Sequence, residues 1–400
     1  MNASMGRANF TAPHKSLKNA LNLIEIGMPA RPSKPSLGGV IVECSESEVT
    51  LRATSFDTVI SVSVSGAEVT ERGISLLDHK ELKKVLSAFA AGETPSVAAQ
   101  MPVRVEGDVV SSPHMTTPIT AYPVQEYPSL RKAAPIRVVV DGQDFLTQLG
   151  RVAPAAGRDE SLPGLTGVRM SIEGRTLRLA ATDRYRLVVA EVETEEFAAN
   201  EEPATGTLPA DILISLGKLL KGYDGPVAVG MDQDQEYVTL TFSEVQVTGA
   251  PWDDCFPKYS SLFPKECAAA LSIDRKAMVR AVKKARGVLQ AKDLKNVPCT
   301  LAYGPTEVTV EPHLELKERL KGRGMDVPST VAYGSLDDLH LKSIQFNPDF
   351  LLNALASFEG DTVTLHLQKS ERLKPGTFTD GPDVSGNGYK HLLMPVRIDD

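Results

Sequence analysis

Leu177–Val192 reads LRLAATDRYRLVVAEV, and Leu51–Val64 reads LRATSFDTVISVSV, the same landmark beginning 126 residues earlier. Working outward from this pair, the whole chain proves to be repetitive. Three segments run from a strand into an amphipathic helix: FTAPHKSLKNALNLIE around Leu17, VVVDGQDFLTQLGRV around Phe145 and LSIDRKAMVRAVKKA around Met278, with anchors 128 and 133 residues apart. A second helix recurs in each unit, as LLDHKELKKVLSAF, LPADILISLGKLL and FNPDFLLNALASF. Alternating apolar residues that suit strands follow, such as EYVTLTF and DTVTLHL. Tyr127-Pro128 and Phe256-Pro257 close the first and second units just before short linkers, Ser129 to Pro135 and Ser260 to Glu266. Repeats in register over this length predict an α+β fold of three domains, each a doubled helix-plus-antiparallel-sheet module. The boundaries fall at 1–130, 136–260 and 267–400.

Composition narrows the class. Four hundred residues are too many for one core. No stretch approaches a membrane span, and no basic-then-apolar leader is present, so a cytoplasmic protein is expected. Cys44, Cys255, Cys267 and Cys299 are scattered without ligand spacing, which fits reduced thiols in or near cores. The seven histidines are dispersed, and neither HExxH nor a phosphate-binding glycine loop occurs, so neither a metal, another cofactor nor catalysis is expected. Asp183–Arg184 reads as an ion pair rather than a dyad, and Cys255 as a buried thiol.

A net charge of −8 argues against nucleic acid, yet the distribution matters more than the sum. Residues three or four apart share a helix face. On that spacing Lys15 and Lys18 oppose Leu17, Leu21 and Ile24, while Lys80, Lys83 and Lys84 oppose Leu82, Leu86 and Phe89. Lys218 opposes Ile212, Leu216 and Leu219; Lys276, Arg280, Lys283 and Lys284 oppose Met278, Ala281, Val282, Ala285 and Leu289. One such helix would be an ordinary solvated face. Four in an acidic protein suggest a basic helical surface that holds phosphates without reading bases. The last helix carries no basic residue, so that surface is uneven.

AAGRDESLPGLTGVRM together with LRLAATDRYRLVVAEV resembles the middle domain of bacterial DNA polymerase III beta sliding clamps, especially their actinobacterial form. ARPSKPSLGGVIVE resembles their first-domain loop; FNPDFLLNAL and the terminal YKHLLMPVRIDD resemble their third domain. The resemblance implies a processivity factor. It would be a ring-forming, head-to-tail homodimer around duplex DNA, without enzymatic activity. Partners implied are the polymerase III alpha subunit, the clamp loader, and repair and other polymerases. They would dock peptides in a pocket of Leu165, Thr182, Arg184, Tyr185, Arg186, Leu187, Pro257 and Leu262. Asn347, Phe350, Leu393, Met394, Pro395, Val396 and Arg397 would complete it.

Implied DNA contacts are Arg31, Lys80, Lys83, Arg158, Lys218, Lys276, Arg280 and Lys283. Implied protomer contacts are Ile119, Val288 and Leu289. Departures stand beside these matches. Leu162, Pro163 and Gly164 occupy a loop that is basic or aromatic in many relatives. A charged stretch over 311–335 exceeds the usual connection, with a short exposed helix expected over 314–321. Both leave open a specialised second copy insensitive to a pocket-binding inhibitor, or a clamp-derived protein that no longer encircles DNA.

Overall fold

The computed structural model describes residues 6–197, 203–232, 237–250, 256–384 and 388–397. Six principal helices appear where the repeat places them: α1 His14–Ile24, α2 His79–Phe89, α3 Gly142–Val152, α4 Ala210–Leu219, α5 Arg275–Ala291 and α6 Pro348–Ala356. Four of them begin at an Asp or Asn whose side chain accepts a backbone N–H that the first helical turn would otherwise leave unpaired. Asp78 receives Glu81 N at 2.8 Å, Asp141 receives Asp144 N at 2.7 Å and Asp274 receives Ala277 N at 2.6 Å. Asn347 receives Asp349 N and Phe350 N at 2.9 and 3.3 Å. Each apolar stripe is buried as its spacing requires: Leu17, Leu21 and Ile24 in α1, Leu82, Leu86 and Phe89 in α2, and Met278, Val282 and Ala285 in α5. In α4 the buried set is Ile212, Leu213 and Leu216, while Leu219 is exposed beside Lys218. The stripe turns away one residue before the helix ends.

Ten strands position the site: β1 Val49–Thr54, β2 Thr58–Ser63, β3 Thr176–Thr182, β4 Arg186–Phe197, β5 Val245–Gly249, β6 Ala269–Asp274, β7 Met325–Gly334, β8 Thr362–Leu367, β9 Gly376–Thr379 and β10 Lys390–Leu393. All of their resolved pairings are antiparallel. The chain divides into two compact units, one of residues 1–146, 169–177 and 193–253, the other of 147–168, 178–192 and 254–400. In the first unit β2 pairs with β5, Thr58 opposite Gly249 and Val62 opposite Val245. In the second, β4 pairs with β10, Arg186 opposite Leu393 and Val189 opposite Lys390.

Nearly half of the stretch 311–335 is strand, at 311–312 and 325–334. Strand β7 pairs with β6 at Leu271–Val331 and with the strand Glu307–Pro312 at Val308–Val327. The helix expected over 314–321 shortens to one turn, Leu316–Arg319. A further short helix, Pro95–Gln100, carries no buried residue and so gave no apolar periodicity to read.

Two buried histidines set an acid limit on this fold. The His366 ring lies between Tyr333 Oη at 3.0 Å and Thr379 Oγ1 at 2.6 Å, and burial lowers its pKa to about 4. In β10, burial and then the charges of Arg186 and Arg151 lower His391 to about 3. Both folded values lie below the ordinary value of 6.5. The unfolded chain therefore takes up protons first, and stability present above pH 6.5 is lost as pH falls toward 4. Between pH 7 and pH 5 each should cost about 2 kcal/mol. Urea midpoints at the two pH values check this; equal midpoints would contradict the buried, neutral assignment.

Candidate functional site

The landmark stretch folds into a turn held by its own polar residues. Thr182 Oγ1 donates to Arg186 O at 2.7 Å and accepts Arg184 N at 3.3 Å. Asp183 Oδ1 accepts both Tyr185 N and Arg186 N at 3.0 Å. These bonds hold Arg184 at φ 77°, a left-handed conformation uncommon outside glycine, and turn Tyr185 into solvent, 54% exposed. The ion pair here is Asp183 with Arg186 at 2.9 Å, not the expected Asp183–Arg184. Neighbours across a left-handed residue diverge, whereas residues three apart close on each other.

Arg186 also differs from the expected polar rim. It is buried, donates to Pro154 O at 2.6 Å and lies 5.3 Å from the Phe350 ring centroid. Its charge is spent bracing the turn. Phe350, one turn into α6, stacks on Tyr185 with ring centroids 5.6 Å apart and planes 21° apart.

The two rings wall a cavity of about 420 Å³, within the range of ligand pockets. Five expected pocket residues line it: Leu165, Arg184, Tyr185, Arg186 and Phe350. Arg158, expected on DNA, lines it as well. Gly157, Asp159, Leu162 and Asn353 join them without having been read from the sequence. Asn353 lies three residues beyond Phe350 on one helix face, a spacing that could have revealed it. Leu162 was noticed only as a departure, and its apolar side chain serves the wall. The loop closes through Gly157 N to Leu165 O at 2.8 Å, and hydrogen bonds from Ser161 hold the exposed Asp159 carboxyl below its ordinary pKa.

Other expected residues support the cavity rather than line it. Thr182, Leu187 and Leu393 are buried, Leu187 in a cluster with Ala180, Val189 and Leu392 under Phe256, Tyr259 and Phe263. Met394, exposed, joins through its N–H to Tyr185 O at 2.8 Å, and Val396 N bonds Gln345 O at 2.9 Å. Asn347 is spent as the cap of α6. Pro395 is half-buried; Arg397, Pro257 and Leu262 are exposed and are not among the residues lining this cavity.

On the helices, Lys80, Lys218, Arg280 and Lys283 are exposed, as is Arg31 in the loop after α1. Lys83 is half-buried and ion-paired with Glu25, whose carboxyl it holds low, and Lys276 meets Asp361 at 2.8 Å. Leu289 is 2% exposed and Ile119 3%, so each belongs to its own unit's core; Val288, 41% exposed, is the outward-facing residue of the α5 pair. Burial pushes the thiols of Cys44 and Cys267 up to about 11 and that of Cys299 to about 12, so none is a ready nucleophile. Cys255 lies outside the described residues. No helix among the described residues is long and apolar enough to cross a membrane.

The chain is thus a repeat-built α+β protein with a walled surface cavity and lysine-faced helices. Comparison with known proteins supplies the family. Residues 139–258 match the model of the central domain of the DNA polymerase III beta subunit. The beta sliding clamp of Streptomyces coelicolor is 31% identical over 386 residues, 93% of this chain and 94% of its own. The beta sliding clamp homolog GriR of Streptomyces muensis is 26% identical over 97% of this chain and 99% of its own. In fold, the chain matches the DNA polymerase III subunit beta of Pseudomonas aeruginosa with TM-score 0.80 at 18% identity, covering 98% of this chain and 100% of that one. The chain belongs to the beta sliding clamp family, the beta subunits of bacterial DNA polymerase III.

Proposed function

We propose that two copies of the chain close head to tail into a ring around duplex DNA and tether polymerases and other factors by short peptides. The ring is non-catalytic and serves in the cytoplasm. It is built from three domains per copy, over 1–130, 136–260 and 267–400. The recurrence of the helix pairs α1/α2, α3/α4 and α5/α6 supports that division. The observation that carries the tethering role is the 420 Å³ cavity beside the stacked Tyr185 and Phe350, lined also by Leu162 and Leu165 and arginine-marked by Arg158 and Arg184. A peptide bound there would rest on a few apolar anchors, with most contacts adding little. Two sites per ring would add avidity while keeping each exchangeable. The polymerase alpha subunit, the clamp loader and repair polymerases are the partners this arrangement suits.

Ring closure draws support from the sheet edges. The strand Thr116–Pro118 ends its five-stranded sheet, leaving a row of backbone groups for another copy to pair with. Ile119 would buttress that edge from within, and Val288 would be the exposed apolar contact on the opposite partner. DNA would be held loosely by Arg31, Lys80, Lys83, Lys218, Lys276, Arg280 and Lys283, through phosphates alone. Particle images of the protein at micromolar concentration test the ring: closed two-copy rings are expected, and single crescents throughout would overturn it.

A further inference from the structure

Arg151 sits in the last turn of α3, three residues before Pro154, whose carbonyl receives Arg186. Its side chain is only 13% exposed and reaches the end of α6. Nε donates to Ser357 O at 2.8 Å, and Nη2 meets Asp380 at 2.9 Å. The guanidinium lies 3.5 Å from the Tyr389 ring centroid and 5.7 Å from that of Phe358. Ser357 closes α6, where backbone carbonyls lack helical partners. A planar fork that stacks on a ring and donates at its edge fits this place as a lysine could not.

A directed chain of hydrogen bonds holds the same helix end. Ser357 Oγ donates to Ala354 O at 2.6 Å, so it accepts from Tyr389 Oη at 2.7 Å. Tyr389 Oη is then left to accept from His391 Nδ1 at 3.4 Å. That tautomer leaves His391 Nε2 a lone pair, which the nearby charges of Arg186 and Arg151 favour over a second N–H. The two arginines meet α6 at its two ends. Arg186 lies 5.3 Å from the Phe350 ring in the first turn, and Arg151 grips Ser357 after the last.

α6 supplies Phe350 and Asn353 to the cavity, whereas the other lining residues follow α3 in the chain, over 156–165 and 183–186. The shape of the cavity therefore depends on how α6 is held against α3. We propose that Arg151 is a positioning residue of the docking cavity, fixing the end of α6 against α3 so that Phe350 stays stacked on Tyr185. The role presupposes that peptides dock at this cavity, and it names what holds the cavity's two parts together. Arg151 is not among the lining residues, so it acts without touching the peptide. Arg275, the first residue of α5, offers the contrast. It donates to Gly360 O at 2.5 Å, Glu359 O at 3.2 Å and Leu355 O at 3.4 Å, tying the same helix end to α5 instead.

Titration of a fluorescent polymerase-tail peptide into the intact protein, with thermal melts of the same samples, tests the role. Arg151→Met keeps a long side chain over Tyr389 and loses the fork. It should weaken the peptide by about tenfold, within the range of couplings inside one packed network. Arg275→Met should also lower the melting temperature, yet keep the peptide within about twofold of the parent, because the grip on α3 stays intact. Should Arg151→Met fail to fold, Asp380→Ala removes an exposed partner of the fork and should weaken the peptide by about threefold. Peptide affinity unchanged in the Arg151 and Asp380 variants, or lost equally in Arg275→Met, would overturn the positioning role while leaving docking in place. A parent protein that binds no peptide would instead overturn docking at the cavity, and the role with it.

Discussion

Replacing Tyr185 and Phe350 together by Ala should weaken the binding of a fluorescent polymerase-tail peptide by about a hundredfold, with little loss of fold stability. The pair lines the cavity with two stacked aromatic rings, each with surface open to solvent. Anchors of this kind carry most of the energy of a small interface; losing two contributes about 3 kcal/mol. Tyr185 is largely in solvent and Phe350 only half-buried, so little core is removed. Leu187→Ala is the informative contrast. Leu187 is buried in the cluster beneath the site, so truncation should cost about 2–4 kcal/mol of stability. Any loss of peptide binding would then follow from a loosened support. Equal peptide affinity in the double variant and the parent would place docking elsewhere.

Leu289→Asp should destabilise the fold by more than about 4 kcal/mol, because it leaves an unpaired carboxylate in the core under α5. Val288→Asp, one residue earlier, should leave the melting temperature within about 2 °C of the parent and shift the protein toward single copies in sedimentation. The two substitutions separate a core position from a contact position on adjacent residues. A Leu289→Asp protein that melts like the parent would show that α5 is packed otherwise. A Val288→Asp protein that remains fully dimeric would move the contact off this helix.

The repeat was legible because its signals are local. An apolar stripe acts within a few positions and recurs at the repeat spacing, so all six principal helices could be placed from the chain alone. The burial of Leu289 was legible, since it continues the stripe of Met278, Val282 and Ala285 at helical spacing; its pairing with Val288 as a contact came from the resemblance alone, and only Val288 faces outward. Strand β7 escaped for a different reason. Its burial alternates only over Met325–Thr330 and is mostly lost beyond, so its charged surroundings looked like an insertion. Around the site, five of the fifteen expected pocket residues line the cavity because they sit on one turn and one helix. Thr182, Leu187 and Leu393 support it from beneath for the same reason that they looked apt: they are apolar or polar partners of the turn itself. The role of Arg186 depended on Pro154 O and Phe350, groups brought to it only by the fold.

Retention on DNA of defined topology tests the central claim most directly. The protein is loaded onto a nicked circular plasmid, the complex is isolated, and one double-strand cut is then made. The account predicts that the circle keeps its protein through a wash at raised salt, because the hold is topological while each lysine contact is screened. The cut plasmid should then release it within minutes. Equal retention on the circular and the cut DNA, or none on either, would contradict a ring threaded by the duplex.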